Sequence, residues 1–140
     1  MYSKVIKFTD FNDNEREQTY HFNLRKDELA KLAAKYGEGF ENKIRSMAMS
    51  NDRVGLYKLF EDLIKESYGI KTEDGLHFKK SEEIWNDFYD SPAYEALFVE
   101  IMTNTDEAVE FFKGVMPKDI REKVSEQTDK ILQGLPVEVK

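Results

Sequence analysis

Between Glu66 and Glu83 the chain reads "ESYGIKTEDGLHFKKSEE", an Asp-Gly pair and one of only two histidines set among several carboxylates. These are the materials of a metal or acid/base site. The same residues also spell a turn. Gly69 stands where a helix C-terminal cap belongs, and Asp74-Gly75 marks a tight turn between Ile70 and the apolar Leu76 and Phe78. Ser81 followed by Glu82 and Glu83 then opens a helix. Each unusual residue in the stretch therefore has a structural use.

A second candidate, "DFNDNEREQTYH" from Asp10, starts like a calcium loop with oxygen side chains at positions 1, 3 and 5. It departs from that pattern at position 6, where Glu15 replaces the glycine of the sharp turn, and at position 12, where His21 replaces the bidentate glutamate. A turn is the better reading. His21 and His77 show no HExxH spacing, and with no cysteine in the chain a zinc site would need carboxylates for most of its ligands. No serine sits in a GxSxG-type elbow, and Gly37-Glu38-Gly39 lacks the third glycine of a dinucleotide loop and follows a helix. Pairs such as Glu61-Asp62 and Glu82-Glu83 are adjacent on helices and point apart, which suits solvent and helix-dipole complementation. Composition and spacing yield no enzyme, and the site expected from them contains no catalytic, cofactor-binding or metal residue.

The elements that position these residues fall into three parts. Over residues 1–24, Tyr2, Ile6 and Phe8 share one face at period two, as do Gln18, Tyr20, Phe22 and Leu24, with "NDNE" between them. The expectation is a β-hairpin, which must pack on something to be stable. Residues 25–116 carry helical periods: Leu29, Leu32, Ala33 and Tyr36; then Phe40, Ile44, Met47 and Ala48; then a wide face, expected to be buried, of Leu56, Tyr57, Leu59, Phe60, Leu63, Ile64 and Tyr68. "SPAYEALFVEIM" restarts with Ser91 as N-cap and Pro92 at the first helical position, and Ala108, Val109, Phe111, Phe112 and Val115 line the next helix. Residues 117–140 are expected to form a peripheral helix from Pro117 to about Gln133, followed by a tail. The predicted fold is a single α+β domain, mostly α-helical, with an N-terminal β-hairpin packed on a bundle of about six to seven short helices. Phe60, Leu63, Phe111 and Phe112 are expected in its core.

The balance of 28 acids against 21 Lys and Arg, a formal charge of −7, disfavours nucleic acid, because the basic residues are scattered among acids and form no stripe. No segment approaches the roughly 18 apolar residues that span a bilayer, and the first residues lack a signal-peptide run. The absence of cysteine suits a reducing cytoplasm.

Three quoted stretches carry a family resemblance: "KVIKFTDFNDNEREQTYHFNL", "LFEDLIKESYGIKTEDGLHFKKSEE" and "SPAYEALFVEIMTNTDEAVEFFKGVMP". They resemble the tail assembly chaperone of long-tailed phages and prophages of Gram-positive bacteria. The middle stretch, with Ser67, Tyr68, Gly69, Asp74, Gly75, Phe78 and Ser81 in order, is the most specific. What the resemblance implies is a non-enzymatic protein of the host cytoplasm, absent from the mature virion. It would bind the tape measure protein, keep it soluble and promote polymerisation of the tail tube protein. In such phages a ribosomal frameshift often yields a second, longer product of the same gene. Two other readings stand beside it: a small acidic adaptor with an unrelated partner, and a carboxylate-based hydrolase using Glu66, Asp74 and His77.

The C-terminal helix supplies the partner-binding candidates. Ile120, Val124, Gln127 and Ile131 form a stripe narrower than those of the preceding helices, flanked by charge, and a seam that thin suits a detachable, coiled-coil-like contact. Self-association is also expected, because a two-stranded hairpin leaves open edges that can pair between copies.

Overall fold

A computed structural model describes residues 1–37 and 40–121. Strands β1 (Tyr2–Thr9) and β2 (Glu15–Phe22) pair antiparallel over their full length, from Tyr2 opposite Phe22 to Thr9 opposite Glu15. The period-two pattern decides which side packs. Ile6 and Phe22 are buried with Tyr2, Phe8 and Tyr20 beside them, while Val5, Lys7, Glu15 and Glu17 face out. Asp10 closes the turn: its carboxylate accepts from the amides of Asn12 (2.9 Å) and Asn14 (3.0 Å) and from Arg16 Nε (2.7 Å), while Asp13 takes a left-handed φ of 64°. The first oxygen of the calcium-like run is thus committed to its own loop. The Asn14 amide first, then Arg16, hold the Asp10 carboxyl below the usual range.

The stretch from Glu66 is more than punctuation between helices. Helix α3 (Arg53–Ser67) runs directly into β3 (Tyr68–Lys71), which pairs antiparallel with β2 through His21–Gly69 and Phe22–Tyr68 and then with β4 (Phe78–Lys79). Among the described residues the sheet is four-stranded, in the order β1-β2-β3-β4. Gly69 is therefore a strand residue and caps no helix; Tyr68, in extended backbone, ends α3. Glycine is needed at 69 for close approach, since a Cβ there would stand 2.7 Å from the Phe78 ring and 2.9 Å from the Lys79 carbonyl oxygen. Asp74-Gly75 does make the turn. Gly75 adopts φ 75°, and the Asp74 carboxylate accepts from Thr72 Oγ1 (2.6 Å) and the Leu76 amide (3.0 Å).

Seven helices lie among the described residues: α1 (Lys26–Lys35), α2 (Phe40–Met49), α3, α4 (Glu82–Tyr89), α5 (Pro92–Thr103), α6 (Thr105–Val115) and α7 (Lys118–Arg121). Their starts follow side-chain chemistry. Asp52 accepts from the Gly55 amide, Ser81 from Ile84, and Asn104 from Asp106 and Glu107, satisfying amides that each first turn leaves unpaired. Ser91 precedes α5 but makes no cap bond; its hydroxyl donates to the Phe88 carbonyl at 2.6 Å and so finishes α4. The C-terminal helix is described to Arg121 only, and the expected run to about Gln133 lies outside the described residues.

The helices close over one face of the sheet on an aromatic core. Phe22 lies at its centre, with the rings of Tyr2, Tyr68, Phe88 and Phe111 all within 6.3 Å of its own, and Tyr68 stacks on Phe88 at 4.2 Å and 12°. Phe60, Leu63, Phe111 and Phe112 are all buried, as their helical spacing requires. This is an α+β protein, mostly helical.

Candidate interaction surface

The residues with the most chemical potential are occupied in holding the fold. Asp62 on α3 is buried, and its carboxylate accepts from Tyr36 Oη (2.5 Å) and Lys35 Nζ (3.0 Å) and pairs with Lys58 (3.1 Å). Burial pushes its carboxyl pKa up, but the hydrogen bonds from Tyr36, Lys35 and Lys58 outweigh that and hold it below the usual range. The Tyr36 phenol moves the other way, raised by burial and then by the Asp62 charge it faces. Lys80 is a second fastening: its ammonium donates to the carbonyls of Asn23 (2.7 Å) and Glu66 (2.7 Å) and to Glu28 Oε1 (2.8 Å), tying the end of β2, the end of α3 and the start of α1. Burial lowers its pKa, and Glu28 recovers part of the shift.

The three residues of the hydrolase reading serve other ends. Asp74 and the His77 backbone build the hairpin turn, Glu66 lends its carbonyl to Lys80, and the side chain of His77 is exposed. His21 lies on the outer sheet face with Nδ1 2.7 Å from Ser3 Oγ, its pKa lowered by burial and by Lys71. Among the described residues no group of three or more His, Asp and Glu side chains is placed to hold a metal ion. No helix among them is long and apolar enough to cross a membrane.

What the surface does present is apolar area. Helix α5, "PAYEALFVEIMT", is apolar almost all round, yet only one flank, Ala93, Tyr94, Leu97 and Ile101, is buried. Phe98 and Met102, one turn apart on the other flank, are half-buried, and Val99 beside them is 52% exposed. The Phe98 ring stacks at 5.9 Å on Tyr94 and meets Tyr57 of α3 edge-on at 5.9 Å. Tyr57 is 42% exposed, and Val54, one turn before it, is 79% exposed. The Tyr57–Phe98 contact joins the start of α3 to the second half of α5, and these residues form a strip across the two helices.

Charge on the α5–α6 side of the strip is one-sided. From Pro92 to Met116 the chain carries Glu95, Glu100, Asp106, Glu107 and Glu110 against Lys113 alone. Lys4 on β1 answers two of these acids, reaching Glu100 (2.6 Å) and Glu107 (2.8 Å); burial pulls its pKa down, but the two carboxylates leave it above the ordinary value. Glu95, one turn before Phe98 and Val99, is exposed, as is Asp106 at the start of α6; on the α3 side Arg53 stands beside Val54, and Lys58, beside Tyr57, turns to Glu61 and Asp62.

Of the partner-binding candidates read from the sequence, Ile120 is half-buried against the core, on the short helix that Asp119 ties to Lys26 of α1 at 2.6 Å. Val124, Gln127 and Ile131 lie outside the described residues. Periodicity places Tyr57 in the buried face of α3, but at the margin of that face it is 42% exposed, and the strip on α3 and α5 is not singled out by the pattern. Its signal was nevertheless present: between Pro92 and Met102 only Glu95 and Glu100 interrupt the apolar residues, too few to give α5 a polar face.

A family model described as phage tail assembly chaperone matches residues 1–138. The chain belongs to that family. No curated protein and no solved structure matches it. Membership in a tail assembly chaperone family implies tail-related protein partners, and exposed apolar area of this kind suits a chaperone that works by contact.

Proposed function

We propose that this chaperone binds the tape measure protein of a long-tailed phage or prophage of a Gram-positive host, keeps it soluble and promotes tail tube polymerisation around it. It does so without catalysis, in the bacterial cytoplasm, and leaves before the virion is complete. Family membership over residues 1–138 is the observation that carries the reading, and the exposed strip on α3 and α5 supports it. A client with long amphipathic helices aggregates through its apolar faces. A protein that offers apolar area and carries a net charge of −7 can cover such faces while like charge keeps the complexes apart.

In the same reading the stripe Ile120, Val124, Gln127 and Ile131 makes a second client contact, and a longer frameshifted product of the gene shares the described body. Backbone amides from Val124 to Leu132 then exchange more slowly once client is added. The function itself is tested by co-expression: the soluble fraction of the tape measure protein encoded beside this gene should rise several-fold, and the two should co-purify. An unchanged soluble fraction with no co-purification contradicts it.

A further inference from the structure

We infer that the strip formed by Val54, Tyr57, Phe98, Val99 and Met102 seats one amphipathic helix of a partner protein whose apolar stripe is flanked by Lys and Arg. The inference rests on the chaperone reading above and names the surface and client chemistry that the reading leaves open.

Geometry supplies the first part. Val54 and Tyr57 are one turn apart on α3, Phe98 and Met102 one turn apart on α5, and the Tyr57–Phe98 ring contact joins the two pairs into one surface. Exposed residues at helical spacing on two helices joined in this way can receive the i, i+3, i+4 and i+7 side chains of a third helix. Tyr57 and Phe98 have few rotamers to lose and large areas to bury, which suits an anchor.

Charge selects the occupant. Glu95 stands one turn from Phe98 and Val99 on the exposed side of α5, Asp106 follows at the start of α6, and both are exposed. A helix with acidic flanks would bring like charges together at this rim; one with basic flanks would be steered and held. A second copy of the chain would present the same acids. Residues 122–140 carry Glu122, Glu126, Asp129 and Glu138 against Lys123, Lys130 and Lys140, so they too lack the complement. The strip therefore fits an external basic amphipathic helix.

The test uses the full chain and two synthetic helices of about six turns, identical in their Leu stripe and differing only in Lys or Glu flanks. By fluorescence anisotropy the Lys-flanked peptide should bind at least about tenfold more tightly than the Glu-flanked one, a preference that shrinks as salt rises from about 50 to about 500 mM. The double variant Val54→Glu/Val99→Glu should lose binding at least about tenfold while keeping the wild-type thermal midpoint, because both positions are exposed. Val5→Glu/Leu76→Glu adds the same charge at exposed apolar positions elsewhere and should bind as wild type does. Equal losses in the two double variants, or none in the first, overturn the seat. Since the chain has no cysteine, Val99→Cys can carry a single photo-cross-linker. Cross-links to the peptide support the seat, and cross-links to a second copy or to residues 122–140 overturn it. Co-expression then separates the two levels. If Val54→Glu/Val99→Glu solubilises the tape measure protein as well as wild type does, only the seat fails; if wild type itself has no effect, the functional reading falls and the seat's assignment to that client falls with it.

Discussion

Asp62 is a buried carboxylate whose role is settled by its neighbours. Tyr36, Lys35 and Lys58 converge on it from α1 and α3, so replacing it removes bonds between two helices. Asp62→Asn should cost about 1–3 kcal/mol in urea unfolding at neutral pH, the range for losing a buried charged hydrogen-bond partner. The pH dependence has a definite sign. The folded-state pKa is depressed, so the stabilisation is complete above the unfolded value of about 3.9 and is lost as pH falls through the lower folded value. The difference between wild type and Asp62→Asn should therefore shrink below about pH 4, and a constant difference down to about pH 2 would contradict it. Gly69 gives the second prediction at this scale. An added methyl would press on the Lys79 carbonyl, which cannot rotate away, so Gly69→Ala should destabilise by about 1–3 kcal/mol measured the same way. The sequence showed a glycine after a helix; that it is needed by a crossing strand is a tertiary fact, visible only once Phe78 lies over it.

Elements with long, regular patterns were legible, and short ones were not. The hairpin of β1 and β2 and the wide apolar face of α3 announce themselves over eight and fifteen residues. β3 and β4 hold four and two residues, too few for a period, and form because β2 offers an unpaired edge and the Asp74-Gly75 turn folds the chain back. Ser91 does occupy the N-cap position of α5 with Pro92 after it, but its hydroxyl bonds back to the preceding helix instead of capping, a choice the sequence does not display. Lys80 belongs to this scale, since one side chain joins three elements. Lys80→Met keeps the apolar stem but leaves the Asn23 and Glu66 carbonyls without that donor; it should cost about 1–3 kcal/mol and speed amide exchange at the β2–β3 junction first. Unchanged exchange at His21 to Leu24 would show that the junction holds without it.

At the scale of the whole molecule, the candidate site was less legible than the fold. Periodicity pointed to the narrow stripe from Ile120, because amphipathic contrast is what a sequence pattern displays. The strip on α3 and α5 has little contrast along the sequence, and its exposure depends on which flank of α5 is covered by β1, α4 and α6. The sheet likewise changes where copies could meet: β3 covers one edge of β2, leaving β1 and β4 as the outer strands. Pairing through β1 predicts a mass above 16.5 kDa by light scattering at high micromolar concentration. A strictly monomeric protein removes self-association and leaves the chaperone reading standing. The central claim is tested most directly by diluting denatured tape measure protein into buffer with rising amounts of the purified chaperone and measuring what stays in the supernatant after centrifugation. The account predicts that the soluble fraction climbs and saturates at a fixed ratio of chaperone to client. A fraction no higher than that obtained with an equal mass of an unrelated acidic protein would contradict it.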